Sequence, residues 1–132
     1  MLSRRECLMV LPLLLPALAE ASTTLQQAMQ RAEALRDDAL RTGDQAFGAV
    51  MLRDSRIVGE APSRVVTLQD PTAHAEMEAI RDAARRLRSR DLSGCVLVST
   101  SRPCRMCEAA AGWARIERMV HGAALTDAGR PS

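Results

Sequence analysis

Two short runs, His74-Ala75-Glu76 and Pro103-Cys104-Arg105-Met106-Cys107, constrain this chain more than any other feature of it. One imidazole, two thiols three residues apart and one carboxylate form a donor set in which three groups can hold a cation while the fourth moves protons. A catalytic zinc keeps three protein ligands and leaves one position to water, which makes His74, Cys104 and Cys107 the candidate ligands and Glu76 the candidate acid and base. Residues two apart in the middle of a helix point to nearly opposite sides. In a first turn, however, side chains lean toward the helix N-terminus, so His74 and Glu76 can reach one site beyond a helix end. Cys104 and Cys107 have the spacing to share a face at the start of another. Two helix N-termini meeting at one point are expected to lower thiol pKa values.

Size and composition narrow the setting. With 132 residues there is room for one domain and a single core. Phe47 and Trp113 are the sole aromatic residues, too few to stack a run of bases, and the core must come from Leu, Val, Ile, Met and Ala. All 18 basic residues are Arg, which removes Schiff-base chemistry and phosphate loops that need an ammonium. A metal mechanism needs neither.

Residues 1–19 read as an export signal. Arg4-Arg5 precede an apolar run, Leu8 to Leu18, that ends in a small-x-small pattern at Ala17-Leu18-Ala19. The run falls short of the roughly 20 apolar residues that span a bilayer, so no membrane anchor is expected after cleavage. The paired arginines resemble a twin-arginine signal and imply a periplasmic protein, cytoplasmic if the signal does not function. Removing the segment takes away two Arg and one Glu, and the formal charge falls from +2 to +1. Such a balance gives no support to a nucleic-acid partner.

Across residues 20–132 the pattern predicts one α/β domain. Thr24 and Gln27 form a capping-box pattern before Leu25, Ala28, Met29, Ala32, Leu35 and Ala39 at helical spacing, ending near Gly43. Phe47–Leu52 and Ile57-Val58 flank Asp54-Ser55 as a hairpin, and residues 59–69 are expected as loop. Asp70-Pro71 predicts a second helix start, with Ala73, Met77, Ile80, Ala84 and Leu87 as its buried stripe and Arg85, Arg86, Arg88 and Arg90 at its solvated end. Cys95–Val98 reads as a buried strand, Pro103 to Ala114 as a third helix, and Met119-Val120 as a last short strand. This order predicts a mixed sheet with helices on its faces, and strands joined through a helix lying parallel. Cys95 reads as a small core residue and His121 as a strand-end histidine.

At the level of residues alone, Cys104-x-x-Cys107 also fits a redox dithiol, and His74 a buried structural histidine. Both half-motifs together favour zinc. They resemble the cytidine and deoxycytidylate deaminase superfamily of zinc-dependent nucleobase deaminases, whose general signature of H-x-E with P-C-x-x-C is well established. Phe47-Gly48-Ala49-Val50, Asp70-Pro71-Thr72-Ala73-His74-Ala75-Glu76, Pro103-Cys104-Arg105-Met106-Cys107 and Trp113-Ala114-Arg115 are most similar to the branch holding guanine deaminase and tRNA adenosine deaminase. The last triplet is closer to guanine deaminase.

The resemblance implies a three-layer α/β/α cytidine-deaminase-like fold, C-terminally short, holding one Zn2+ per chain on His74, Cys104 and Cys107. It implies hydrolytic deamination of a small nucleobase or nucleoside, a guanine-type purine favoured, with zinc-activated hydroxide attacking the amine-bearing ring carbon and Glu76 shuttling the proton. Phe47, Ser63, Ala75 and Trp113 are then the expected substrate contacts. Two residues depart from the pattern: Ser63 stands where the branch has an Asn that reads the base, and Arg102 where it has a Glu before Pro-Cys. Adenosine in tRNA as substrate, a zinc-binding module without turnover, and a homodimer stay open as alternatives.

Overall fold

The computed structural model describes residues 22–132 and, ahead of them, Pro12 alone. The export segment expected over residues 1–19 lies outside the continuously described part. The described chain begins with helix α1 (Leu25–Arg41), where the Thr24 hydroxyl accepts from the Gln27 N–H and the Gln27 side chain accepts from the Thr24 N–H, the expected capping box. Strands β1 (Gly48–Arg53) and β2 (Arg56–Pro62) follow as an antiparallel hairpin. Its turn residues, Asp54 and Ser55, have φ of 51° and 59°. Two successive positive φ values are what a two-residue hairpin needs to match strand twist.

Helix α2 (Ala75–Leu87), strand β3 (Val96–Ser99), helix α3 (Arg105–Trp113), and strands β4 (Arg118–His121) and β5 (Thr126–Gly129) complete the order. The sheet runs β2-β1-β3-β4-β5. Only the β3–β4 pair is parallel, and α3 makes the crossover between them, while β1 pairs antiparallel with both β2 and β3. Alternation along β1 assigns the two faces. Val50 and Leu52 join Val98 against Ala28, Met29, Ala32 and Leu35 of α1, whereas Ala49 and Met51 join Leu97 and Met119 against α2 and α3. The result is the expected three-layer α/β/α arrangement.

Four sequence expectations need correction. The region expected as loop from residue 59 continues as β2 to Pro62, which an edge strand tolerates because its outer side makes no ladder bonds. Asp70 does not start a helix. Its carboxylate accepts from the N–H and hydroxyl of Thr72, closing a local turn, and α2 begins at Ala75 with His74 as N-cap. The face of α2 turned to the core is Ala75, Ala79 and Ala83, while Met77, Ile80, Ala84 and Leu87 are half-buried flanks and Ala73 is buried ahead of the helix. Finally, β5 pairs antiparallel with β4 as an edge strand that the sequence pattern did not announce.

Close approach explains the alanine face. A Cβ on Gly59 of β2 would lie 2.6 Å from the Ala83 nitrogen and 2.7 Å from the Ala79 carbonyl oxygen of α2, both backbone atoms that cannot swing aside. Gly48 plays the same part under α1, where a Cβ would come within 2.0 Å of the Ala32 carbonyl oxygen. Overpacking of this kind costs about 1–3 kcal/mol or more. Gly59→Ala is therefore expected to lower stability by about 2–3 kcal/mol in urea denaturation, and an unchanged midpoint would contradict this packing.

The loop from Ser63 to Ala73 is pinned by one carboxylate. Asp44, buried at 6% exposure, accepts from the N–H and hydroxyl of Thr67 at 2.8 and 2.7 Å, the Gln45 N–H at 2.8 Å and the Ser63 hydroxyl at 3.0 Å. Burial alone would raise its pKa, but those donors outweigh it and hold the carboxyl well below the usual carboxylate range. A depressed folded-state pKa contributes stability that is present above the unfolded value, near 3.9, and is lost as pH falls. Between pH 5 and pH 3 the wild type should thus lose more stability than Asp44→Asn, which keeps the shape without the titration. Equal losses in denaturant titrations at the two pH values would remove this role from Asp44.

Candidate metal centre

The donors arrive from two helix starts on one face of the sheet. His74 is the N-cap of α2 and Cys104 the N-cap of α3, and neither side chain caps its own helix. They turn toward each other instead. His74 Nδ1 lies 3.6 Å from Cys104 Sγ and 3.6 Å from Cys107 Sγ, and the two sulfurs are 3.6 Å apart. Tetrahedral zinc with arms of about 2.0–2.3 Å sets ligand–ligand separations of about 3.3–3.8 Å, so the three donors fit a zinc ion. No other group of three or more His, Cys, Asp or Glu side chains among the described residues meets that geometry. The expected ligand set converges as drawn from the sequence. Cys95, buried in the core, and His121, at the end of β4, stay apart from it.

Glu76 stands beside the triangle at 4% exposure. Burial raises its carboxyl above the ordinary value, against opposing contributions from its own backbone N–H, the Cys107 thiol and the His74 ring. Burial likewise pushes the Cys107 thiol far above its usual range, and the neighbouring Glu76 and Cys104 add to the shift. The lowering expected from the helix ends does not prevail at Cys107, because desolvation of a buried thiolate is the larger effect. A bound cation is what displaces such a proton.

A pocket of about 130 Å³ opens on this set, lined by Phe47, His74, Glu76, Ser101, Arg102 and Cys104. The sheet places them together. Ser101, Arg102 and Cys104 follow the carboxyl end of β3, where open α/β sheets bind ligands, and Phe47 immediately precedes antiparallel β1 at the same end. The Thr100 N–H donates to the Gly48 carbonyl at 3.0 Å and the Gly48 N–H to the Thr100 hydroxyl at 3.2 Å, tying the two segments. Ala75 is fully buried as the first residue of α2, whose N–H has no intrahelical acceptor.

Two expected substrate contacts lie elsewhere. Ser63 is 2% exposed, directs its hydroxyl to Asp44, and does not line the pocket. Trp113 is 91% exposed at the end of α3 and borders a separate groove of about 720 Å³ with Ile80, Arg81 and Leu92. Ser101 and Asp44 were not anticipated. For Ser101 a signal existed in its place between strand and Pro-Cys; for Asp44, whose partners are up to 23 residues away, there was none.

Comparison with known proteins agrees with this geometry. Residues 22–123 match the family model described as the cytidine and deoxycytidylate deaminase zinc-binding region. The chain is 42% identical over 85 residues to the tRNA-specific adenosine deaminase of Aquifex aeolicus, covering 64% of this chain and 56% of that one. To the guanine deaminase of Bacillus subtilis it is 44% identical over 82 residues, 62% of this chain and 53% of that one. It thus spans little more than half the length of these relatives. The crystal structure of the Bacillus subtilis guanine deaminase superimposes with a TM-score of 0.73 at 36% identity, over 76% of this chain and 65% of that one. With the family model covering most of its length, the donor set closed and the fold shared, the chain belongs to the cytidine and deoxycytidylate deaminase zinc-binding family.

Proposed function

We propose that this protein is a zinc-dependent hydrolytic deaminase of a free nucleobase or nucleoside, a guanine-type purine favoured, holding one zinc per chain on His74, Cys104 and Cys107. The observation that carries the reading is the 3.6 Å triangle of donors with a buried carboxylate beside it. Zinc at a three-ligand site supplies Lewis acidity that makes water a nucleophile at neutral pH. In the net reaction water and the amine-bearing base give the carbonyl base and ammonia, one C–O bond forming as one C–N bond breaks. Glu76 carries two protons in turn, the first from water to the ring nitrogen and the second from the hydroxyl now on that carbon to the departing amine, which leaves as ammonia. A carboxyl whose pKa is raised by burial suits both duties. Phe47 covers a face of the base, and the Ala75 N–H, which has no intrahelical acceptor, holds a ring carbonyl.

Pocket size supports a base as the enclosed part of the substrate. At about 130 Å³ the space is less than half that of the smallest sites enclosing drug-sized ligands, about 300 Å³. Similarity to guanine deaminase and the Trp113-Ala114-Arg115 triplet favour the free purine. The similarity to a tRNA-specific adenosine deaminase favours a second reading, adenosine in tRNA, with the base in the pocket and the strand outside it. Residues 1–19 carry a separate proposal, export to the periplasm, which paired Arg4→Lys and Arg5→Lys changes should abolish in cell fractionation.

The central test is ammonia release from guanine, adenine, cytosine, their nucleosides and tRNA, measured on protein with its zinc content determined. Expected are one zinc per chain, turnover of guanine, and no salt-sensitive RNA binding. Glu76→Gln should keep the zinc and lose turnover by roughly a hundredfold or more, whereas Cys107→Ser should lose the zinc. Full activity in Glu76→Gln, or turnover confined to tRNA, would overturn the reading.

A further inference from the structure

Besides the Ala75 N–H, which can take one of the two lone pairs of a ring carbonyl, few polar groups are left in the pocket to read a base. His74 and Cys104 belong to the metal set, Glu76 to proton transfer, and Phe47 offers a ring face. Ser101 offers a hydroxyl, which both donates and accepts and so does not tell one base edge from another, while its carbonyl already accepts from the Ser99 hydroxyl. Ser63, at the position where the family resemblance expects a base-reading amide, is spent on Asp44. Arg102 remains. It lines the pocket and makes no hydrogen bond or ion pair among the described residues. Pro103 confines its backbone to the extended region, which limits the directions the side chain can take.

A guanidinium carries five N–H donors and no acceptor, so the edge it reads must offer acceptors alone. Guanine presents two side by side, O6 and N7, the pair that arginine meets with two parallel N–H bonds. Its reacting amine is on C2, away from that edge. Adenine carries an N6 amino donor beside N7, and cytosine an N4 amino donor, either of which opposes a guanidinium. We propose that Arg102 is the specificity-determining residue of this site, its guanidinium donating to O6 and N7 of a guanine-type base. The inference rests on the deaminase reading and narrows it to one base.

Hypoxanthine keeps O6 and N7 but has no amine on C2, so the enzyme cannot consume it and its affinity can be measured at equilibrium; 7-deazahypoxanthine lacks only the N7 acceptor. In calorimetry on the zinc-loaded full chain, wild type should bind hypoxanthine roughly ten- to a hundredfold more tightly than the deaza analogue, the discrimination that a bidentate arginine gives. Arg102→Ala should bring the ratio to within about twofold. Arg102→Lys should recover only part of it, since a point charge cannot reproduce the fork. Zinc content should be unchanged in both variants. No binding of hypoxanthine by wild type, no preference for it, or a preference that survives Arg102→Ala would overturn the assignment. The two readings fail separately: ammonia release from guanine with a ratio indifferent to Arg102→Ala sinks only this inference, and a ratio that collapses without turnover of any base sinks only the catalytic one.

Discussion

Convergence of two helix N-termini on one point is the constraint around which this molecule is arranged. His74 and Cys104 are N-cap residues, a place where a polar side chain ordinarily bonds to its own helix, and here both are released from that duty to meet at 3.6 Å with Cys107 one turn further on. Such a meeting requires α2 and α3 on the same side of the sheet with their starts at the same end. The parallel β3-α3-β4 crossover delivers the second helix start at the carboxyl end of β3. The hairpin and the long connection after it deliver the first.

Several otherwise unrelated residue choices follow from holding α2 in place. Ala75, Ala79 and Ala83 let the helix lie close on β2, and Gly59 removes the Cβ that would hold it off. Buried Glu78, in the first turn, binds Arg64 of the preceding loop at 3.5 Å and Arg81 of its own helix at 2.6 Å, while Asp44 anchors the same loop at Thr67. Glu78, a carboxylate buried with charged partners, contributes position more than net stability. Glu76 is buried with far less satisfaction, and its raised pKa is the consequence. Within one turn of helix, then, two glutamates have different surroundings: Glu78 is paired with arginines, and Glu76 is held in a buried place that raises its pKa.

What was legible in the sequence was local. The Thr24 capping box, the Asp54-Ser55 turn and the two metal half-motifs each depend on a few neighbouring residues, and each stands in the structure where the pattern predicts it. Competing local bonds and long-range contacts decided the rest. Asp70-Pro71 has the local form of a helix start, but Thr72 captures the carboxylate and delays the helix to Ala75. The stripe of larger residues on α2 misled because the closest packing needs the smallest side chains. Polar, four-residue β5 has no periodicity of its own and exists by pairing with β4, helped by the Asp127–Arg118 ion pair. Ser63 and Trp113 could be assigned to substrate from the resemblance, yet a carboxylate 19 residues away and the outward end of α3 determine where they point.

Everything proposed for the site depends on its ligand set, and X-ray absorption at the zinc edge of the purified full chain addresses that set directly. Two sulfurs at about 2.3 Å, one imidazole nitrogen at about 2.0–2.1 Å and one further light atom would match His74, Cys104, Cys107 and an open position. A shell of four sulfurs, one without sulfur, or a spectrum unchanged by Cys107→Ser would contradict it.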